Sequence, residues 1–235
     1  PLIRPKESFY HFLCMNKPSI LSENQKKILN LLSQESSICD NFYLTGGTAL
    51  AEFYLHHRLS EDLDFFCEQE FDPQSISVAL KKIQTAAGIT KTEYQQSFNR
   101  NLFFLYVGSE VIKTEFTYFP FPRIEQKQKL GKLFIDSLED IAVNKIFTIY
   151  QKPRSRDFID LYLILRKHPQ FTLEALIKNA QVKFGTHIDP MQLGAQYMKA
   201  AELKDYPNMI EKLDEKEWQD FFAQEAEKLK GGVFK

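Results

Sequence analysis

The chain has 235 residues, 43% of them apolar and including 21 Phe and 10 Tyr, which is enough to bury a sizeable core and excludes a disordered protein. A formal charge of −1 excludes a global basic field, so a polyanion would have to meet a local patch. Cys14, Cys39 and Cys67 form no C-x-x-C pair, which argues against a disulfide framework or a zinc site and fits a reducing cytoplasm.

Residues 1–6 hold no apolar run of signal-peptide length, and no stretch approaches the 18–20 apolar residues of a membrane span, so no membrane partner is expected. Because the chain does not begin with Met, its start is expected to be trimmed. The apolar spacing predicts a first helix over 21–32, with Ser22 as N-cap and Gln25 completing a capping box. Residues 42–45 read as a short buried strand broken by Gly46-Gly47. Residues 48–56 follow as a helix with Leu50, Phe53 and Tyr54 inward, and 63–67 as a second strand. Asp72-Pro73 opens a helix that Gly88 stops, and strands follow over 90–97, 102–107 and 111–119. Pro120-Phe121-Pro122 is expected to end the sheet. Beyond it, 138–150, 156–167, 173–183, 191–203 and 215–230 all read as helices. The expectation is an α+β protein: an α/β core over 1–125, with a mixed sheet flanked by helices, and a helical domain over 126–235.

The chemistry concentrates between residues 42 and 66. Residues i and i+2 of a strand face the same side, about 6.5–7 Å apart along the backbone, so Asp62 and Asp64 aim two carboxylates at one spot. Two like charges that close repel by roughly 4 kcal/mol at an intermediate dielectric, and a cation is the usual remedy. Glycine lets a phosphate approach the backbone, and the N–H groups that follow are free to bind it. Alone, Gly46-Gly47 is a tight turn; one helix ahead of Asp-x-Asp, it reads as a phosphate cradle. Arg58, just upstream with Ser60, either touches a triphosphate or pairs with Glu61 or Asp62. Glu115 shares a strand face with Lys113 and Thr117, and is either a third carboxylate of the site or one half of an exposed salt bridge.

In the helical half, Lys145 interrupts the apolar stripe of Leu138, Ile141, Ala142 and Ile149. It either snorkels to the surface or projects into a cleft, where its charge would position phosphates. Asp157 and Asp160 lie on one face of the next helix; N-terminal capping is a rival reading for Asp157 but not for Asp160. His56 and His57 read as surface or substrate-side residues. Lys127, Lys129, Lys132, Lys152, Arg154 and Arg156 are expected to cluster at the entrance to the helical half, where they either contact RNA phosphates or form a solvated surface.

Leu44-Thr-Gly-Gly-Thr-Ala-Leu50 followed by Arg58-Leu-Ser-Glu-Asp-Leu-Asp-Phe-Phe66 resembles the AbiEii/AbiGii toxin family of nucleotidyltransferases, within the superfamily with the DNA polymerase β type of fold. The helical lysine matches Lys145, and the Arg-Asp-x-x-Asp helix matches Arg156, Asp157 and Asp160. The resemblance implies that Asp62 and Asp64 hold Mg²⁺ (or Mn²⁺), joined by Glu115 where an Asp is often seen. Gly46, Gly47 and Thr48 would cradle an NTP, with Arg58 and Ser60 beside them, and Lys145 would contact its phosphates. Asp157 or Asp160 would activate the nucleophile or orient groups. The expected reaction moves NMP from NTP to an acceptor hydroxyl, on RNA or tRNA, in a bacterial toxin or phage-defence protein with an antitoxin partner. The alternative is a catalytically silent nucleotide-binding protein on the same fold.

Overall fold

The computed structural model describes residues 18–126 and 128–233; Cys14, Lys127 and the reading of residues 1–6 lie outside them. Helix α1 (Glu23–Leu32) begins as expected. Ser22 Oγ accepts from the Gln25 amide while the Gln25 side chain accepts from the Ser22 amide, satisfying two N–H groups that the first turn leaves open. A short α2 (Ser36–Cys39) leads into β1 (Tyr43–Thr45). Helix α3 (Gly46–Leu50) continues through a π-helical turn over Ala51–Leu55 and ends at His56, which is left-handed at φ 54°. Widening the helix rotates its faces. Ala49, Leu50, Ala51 and Leu55 are buried, whereas Phe53 and Tyr54, expected to point inward, are only half-buried.

Strand β2 (Leu63–Cys67) precedes α4 (Pro73–Ala87), which is capped by Asp72 and ends at left-handed Gly88. Strands β3 (Ile89–Ser97), β4 (Arg100–Val107) and β5 (Glu110–Tyr118) form an antiparallel meander. The sheet does not end at Pro120–Pro122. Strands β6 (Gln128–Leu130) and β7 (Leu133–Ile135) form a hairpin, and β7 adds parallel to β1. The sheet therefore runs past residue 125. Its seven strands lie in the order β3-β4-β5-β2-β1-β7-β6, with β2 and β5 parallel and β1 and β2 antiparallel.

One face of this sheet supplies Leu44, Leu63, Phe65, Phe103, Leu105 and Phe116, all buried and packed with Ile28, Leu32, Ile76, Leu80 and Ile83 of α1 and α4. Phe65 and Phe116 stack with centroids 5.0 Å apart. The helical part follows: α5 (Leu138–Gln151), α6 (Ser155–Lys167), α7 (Leu173–Phe184), α8 (Pro190–Met198, with a 3₁₀ turn to Ala201) and α9 (Glu215–Val233). Phe158, Trp218, Phe222 and Tyr197 fill its centre, and all four are fully buried.

Candidate active site

The Gly46-Gly47 turn lies at the end of β1, directly beside β2, because Thr45 is in register with Asp64. Gly46 has φ 72°, a conformation that costs an L side chain roughly 1–2 kcal/mol, and a Cβ there would lie 2.6 Å from Asp64 Oδ2. A Cβ on Gly47 would collide with Arg58 Nη2 and lie 3.3 Å from Ser60 Oγ. Both glycines are thus required by close approach, one to a carboxylate and the other to a guanidinium. Thr48 is buried. Its hydroxyl donates to the Asp62 carbonyl and lies 2.8 Å from Ser60 Oγ, fastening the start of α3 to the segment that delivers the carboxylates.

Asp62 and Asp64 share the sheet face opposite Leu63 and Phe65, and Asp64 is level with Glu115 on β5. Burial, then the Glu115 and Asp62 charges, push the Asp64 carboxyl up to about 7, against the pull of Lys113 and Arg156. Asp62 Oδ2 accepts from Lys113 Nζ at 2.8 Å. Glu115 is buried and doubly held by Arg100: Nε to Oε1 at 2.7 Å and Nη2 to Oε2 at 2.6 Å, with Thr117 donating to Oε1. Burial raises its proton affinity, but the Arg100 and Thr117 hydrogen bonds outweigh it and keep the carboxyl below its usual value. Glu115 is thus one half of a bidentate salt bridge whose carboxylate is buried while the Arg100 side chain is half-exposed. Among the described residues, no three His, Cys, Asp or Glu side chains are arranged to hold a metal.

The second constellation is a buried ionic network behind the glycine turn. Lys145 Nζ lies 2.7 Å from both Asp157 Oδ1 and Asp160 Oδ2. Asp160 also accepts from Arg58 Nε at 2.7 Å and Nη2 at 2.8 Å, and its Oδ1 is 2.7 Å from His57 Nε2. Burial would raise the Asp160 carboxyl, but Lys145 and Arg58 hold it well below the ordinary carboxylate range. Burial would lower the Lys145 ammonium, but Asp157 and Asp160 outweigh it and raise it. Asp157 Oδ2 accepts from the Arg154 amide at 3.1 Å, so it caps α6 while binding Lys145.

Several expectations change here. Arg58 pairs with neither Glu61 nor Asp62; all three of its nitrogens are engaged, Nη1 by the Leu59 carbonyl, and it is 2% exposed. Asp160, with both oxygens taken and its carboxyl held far down, is an anchor and not a base. His57 is wholly buried against Asp160 and not at the surface; burial lowers its pKa against the opposing Asp160 hydrogen bond. Lys145 does not snorkel to the surface but is buried between α5 and α6. The basic set does not form one patch. Lys152, Arg154 and Arg156 lie on the α5–α6 connection and the start of α6, beside the network. Lys129 and Lys132 lie on the β6–β7 hairpin, whose Lys132 turn is at the far end of β7 from the glycine turn, near Cys39.

Sequence reasoning missed Asp136. It lies just after β7, is 1% exposed, accepts from Thr45 Oγ1 at 2.7 Å and keeps Oδ1 without a hydrogen-bond partner. The signal was an acid closing the apolar run Leu133-Phe-Ile135. Burial, with Asp140 adding to it, pushes the carboxyl up to about 6, against Lys183, the Thr45 bond and Arg123.

A glycine turn against a carboxylate strand in a mixed sheet, closed from behind by helices, defines a nucleotidyltransferase fold. Solved structures agree. JHP933 from Helicobacter pylori superposes with a TM-score of 0.57 at 19% identity, covering 91% of this chain and 94% of that one. A second H. pylori structure gives 0.58 at 19% identity, over 91% and 97%. The family described as nucleotidyl transferase AbiEii toxin, Type IV TA system, matches residues 30–231, and the chain belongs to it. Uncharacterized protein aq_aa25 of Aquifex aeolicus (strain VF5) is 38% identical over 135 residues; the match spans 56% of this chain and 61% of that relative.

Proposed function

We propose that the protein transfers a nucleoside monophosphate from an NTP to an acceptor hydroxyl on RNA, tRNA being the foremost candidate, as a toxin component countered by an antitoxin. The observation that carries this reading is the contact between the glycine turn and the carboxylate strand: Gly46 backs directly onto Asp64 Oδ2. A triphosphate bound at the Gly46, Gly47 and Thr48 backbone would therefore lie beside the acidic pair. Family membership supports the same reaction.

Asp62 and Asp64 fit a Mg²⁺ or Mn²⁺ ion, because Mg²⁺ in such sites takes one or two carboxylates and completes its shell with substrate phosphates and water. When bound, that cation offsets charge on the phosphates and on the leaving pyrophosphate. Lys145, held by Asp157 and Asp160, supplies a fixed positive charge from the helical part (within 126–235) that closes the cleft over the core. Arg58 and Ser60 shape the turn from behind, and Arg58 acts by position and not by direct phosphate contact. Glu115 holds Arg100 at the edge of the acidic row.

The test is incubation with Mg²⁺, each α-³²P-labelled NTP in turn and total bacterial RNA, for wild type and Asp64→Ala. Label entering tRNA-sized RNA with wild type alone is expected. Transfer persisting in Asp64→Ala overturns the site assignment, and label on protein alone overturns the RNA acceptor.

A further inference from the structure

The strand register extends the acidic row outward across the meander. Asp64 is level with Glu115, Glu115 with Leu102, and Leu102 with Gln95. In the adjacent row, Lys113, which reaches Asp62, is level with Phe104, and Phe104 with Glu93. One row further, Val111 is level with Tyr106 and Tyr106 with Lys91. Side chains paired across neighbouring strands share a face. Asp62, Asp64, Lys113, Phe104, Tyr106 and Val111 therefore lie on one continuous surface.

This surface is more apolar than its position requires. The core face of the same strands already carries Phe103, Leu105, Ile112 and Phe116, all buried, and α4 packs on that side. An antiparallel sheet with one solvated face normally alternates apolar and polar residues. Here β4 is apolar on both faces. Phe104 and Tyr106 are only partly buried and Val111 is 48% exposed. Cations are interleaved with them: Lys91 Nζ lies 5.0 Å from the Tyr106 ring centroid, Lys113 binds Asp62, and Arg100 binds Glu115. Glu93, the one acid in the outer rows, is answered by Lys91 at 2.5 Å and by the Tyr106 hydroxyl at 2.9 Å.

Resting on the transfer reaction proposed above, we infer that this face of β4 and β5 is the platform for the unpaired 3′ end of the RNA acceptor. Flat aromatic side chains interleaved with cations on an open sheet stack unpaired bases and track a backbone, whereas a paired duplex hides its base faces. The platform runs without a break into Asp62 and Asp64, where the attacking hydroxyl must arrive. Phe104 is the central base-stacking side chain and Tyr106 the next one outward.

The test is fluorescence anisotropy without NTP, using a labelled single-stranded RNA 12-mer and a blunt RNA hairpin, on wild type, Phe104→Ala and Phe104→Trp. Circular dichroism checks the fold of each variant, and a separate titration measures NTP binding. Wild type and Phe104→Trp should bind the single strand in preference to the hairpin. Phe104→Ala should bind it about 10-fold to 100-fold more weakly with NTP binding unchanged. Equal binding by Phe104→Ala, equal affinity for the hairpin, or no RNA binding by wild type each overturn the platform. So does wild-type self-association that Phe104→Ala removes, since a second copy would then cover the face. Transfer retained by Asp64→Ala would instead overturn the reaction assignment and leave the binding comparison intact.

Discussion

The Asp160 carboxylate grips the Arg58 guanidinium through two parallel hydrogen bonds, 2.7 Å from Nε and 2.8 Å from Nη2, inside a fully buried site. This pair joins the segment that carries Asp62 and Asp64 to the first turns of α6. Because Asp160 also takes Lys145, one side chain fixes both the guanidinium behind Gly47 and the ammonium of the helical part.

Asp160→Ala leaves Arg58 and Lys145 buried with too few partners. Removing one member of a buried ionic network costs about 3–5 kcal/mol, so chemical denaturation should show a loss of that size. Asp157→Ala should cost less, about 1–2 kcal/mol, because it removes one Lys145 contact and a helix cap while Asp160 still holds the ammonium. Equal losses in the two variants would contradict the central place given to Asp160.

Gly46→Ala places a methyl against Asp64 Oδ2 in a left-handed backbone. The strain costs about 1–2 kcal/mol in stability. NMP transfer should fall far more than that cost implies, because the carboxylate itself is displaced. Gly47→Ala pushes on an Arg58 that Asp160 clamps, so it should lower both stability and transfer. Thermal unfolding beside a transfer assay separates the two effects, and a Gly46→Ala variant with full transfer would contradict the contact.

Asp136 predicts a pH dependence of stability. Its folded value, about 6, lies above the ordinary 3.8, so the folded state binds the proton more tightly than the unfolded chain. The resulting contribution is fully present below about pH 4 and is lost as pH rises through about 6. Asp136→Asn keeps an oxygen for Thr45 and cannot ionise. It should match wild type near pH 4 and be more stable by about 1–3 kcal/mol at pH 7.5. Denaturant midpoints at the two pH values measure this; no gain at pH 7.5 would show that Arg123 and Lys183 already neutralise the carboxylate.

The limits of the sequence are clearest at three places. The β6–β7 hairpin was missed because strands of three residues hold too few positions for a period-2 pattern. Gly131 between Leu130 and Leu133, at φ 61°, was the available turn signal. Arg58 offered a plausible choice between a triphosphate and nearby acids, yet its partner is Asp160, 102 positions away. His57 carried no sign of burial, since adjacent histidines look polar until a π-helical turn and a left-handed His56 redirect the chain.

By itself the sequence determined what depends on near neighbours. Ser22 with Gln25 started α1, Asp72-Pro73 and Gly88 bounded α4, and Asp62 and Asp64 had to share a strand face because side chains alternate along a strand. Tertiary structure alone decided which charges meet. Glu115 meets Arg100 because the β4–β5 register brings them together, and Lys145 meets Asp157 and Asp160 because α6 packs beside α5. The reason is physical. Alternation and capping are set by local backbone geometry, whereas an ion pair depends on where two distant segments are held, and burial multiplies its strength only after they are packed.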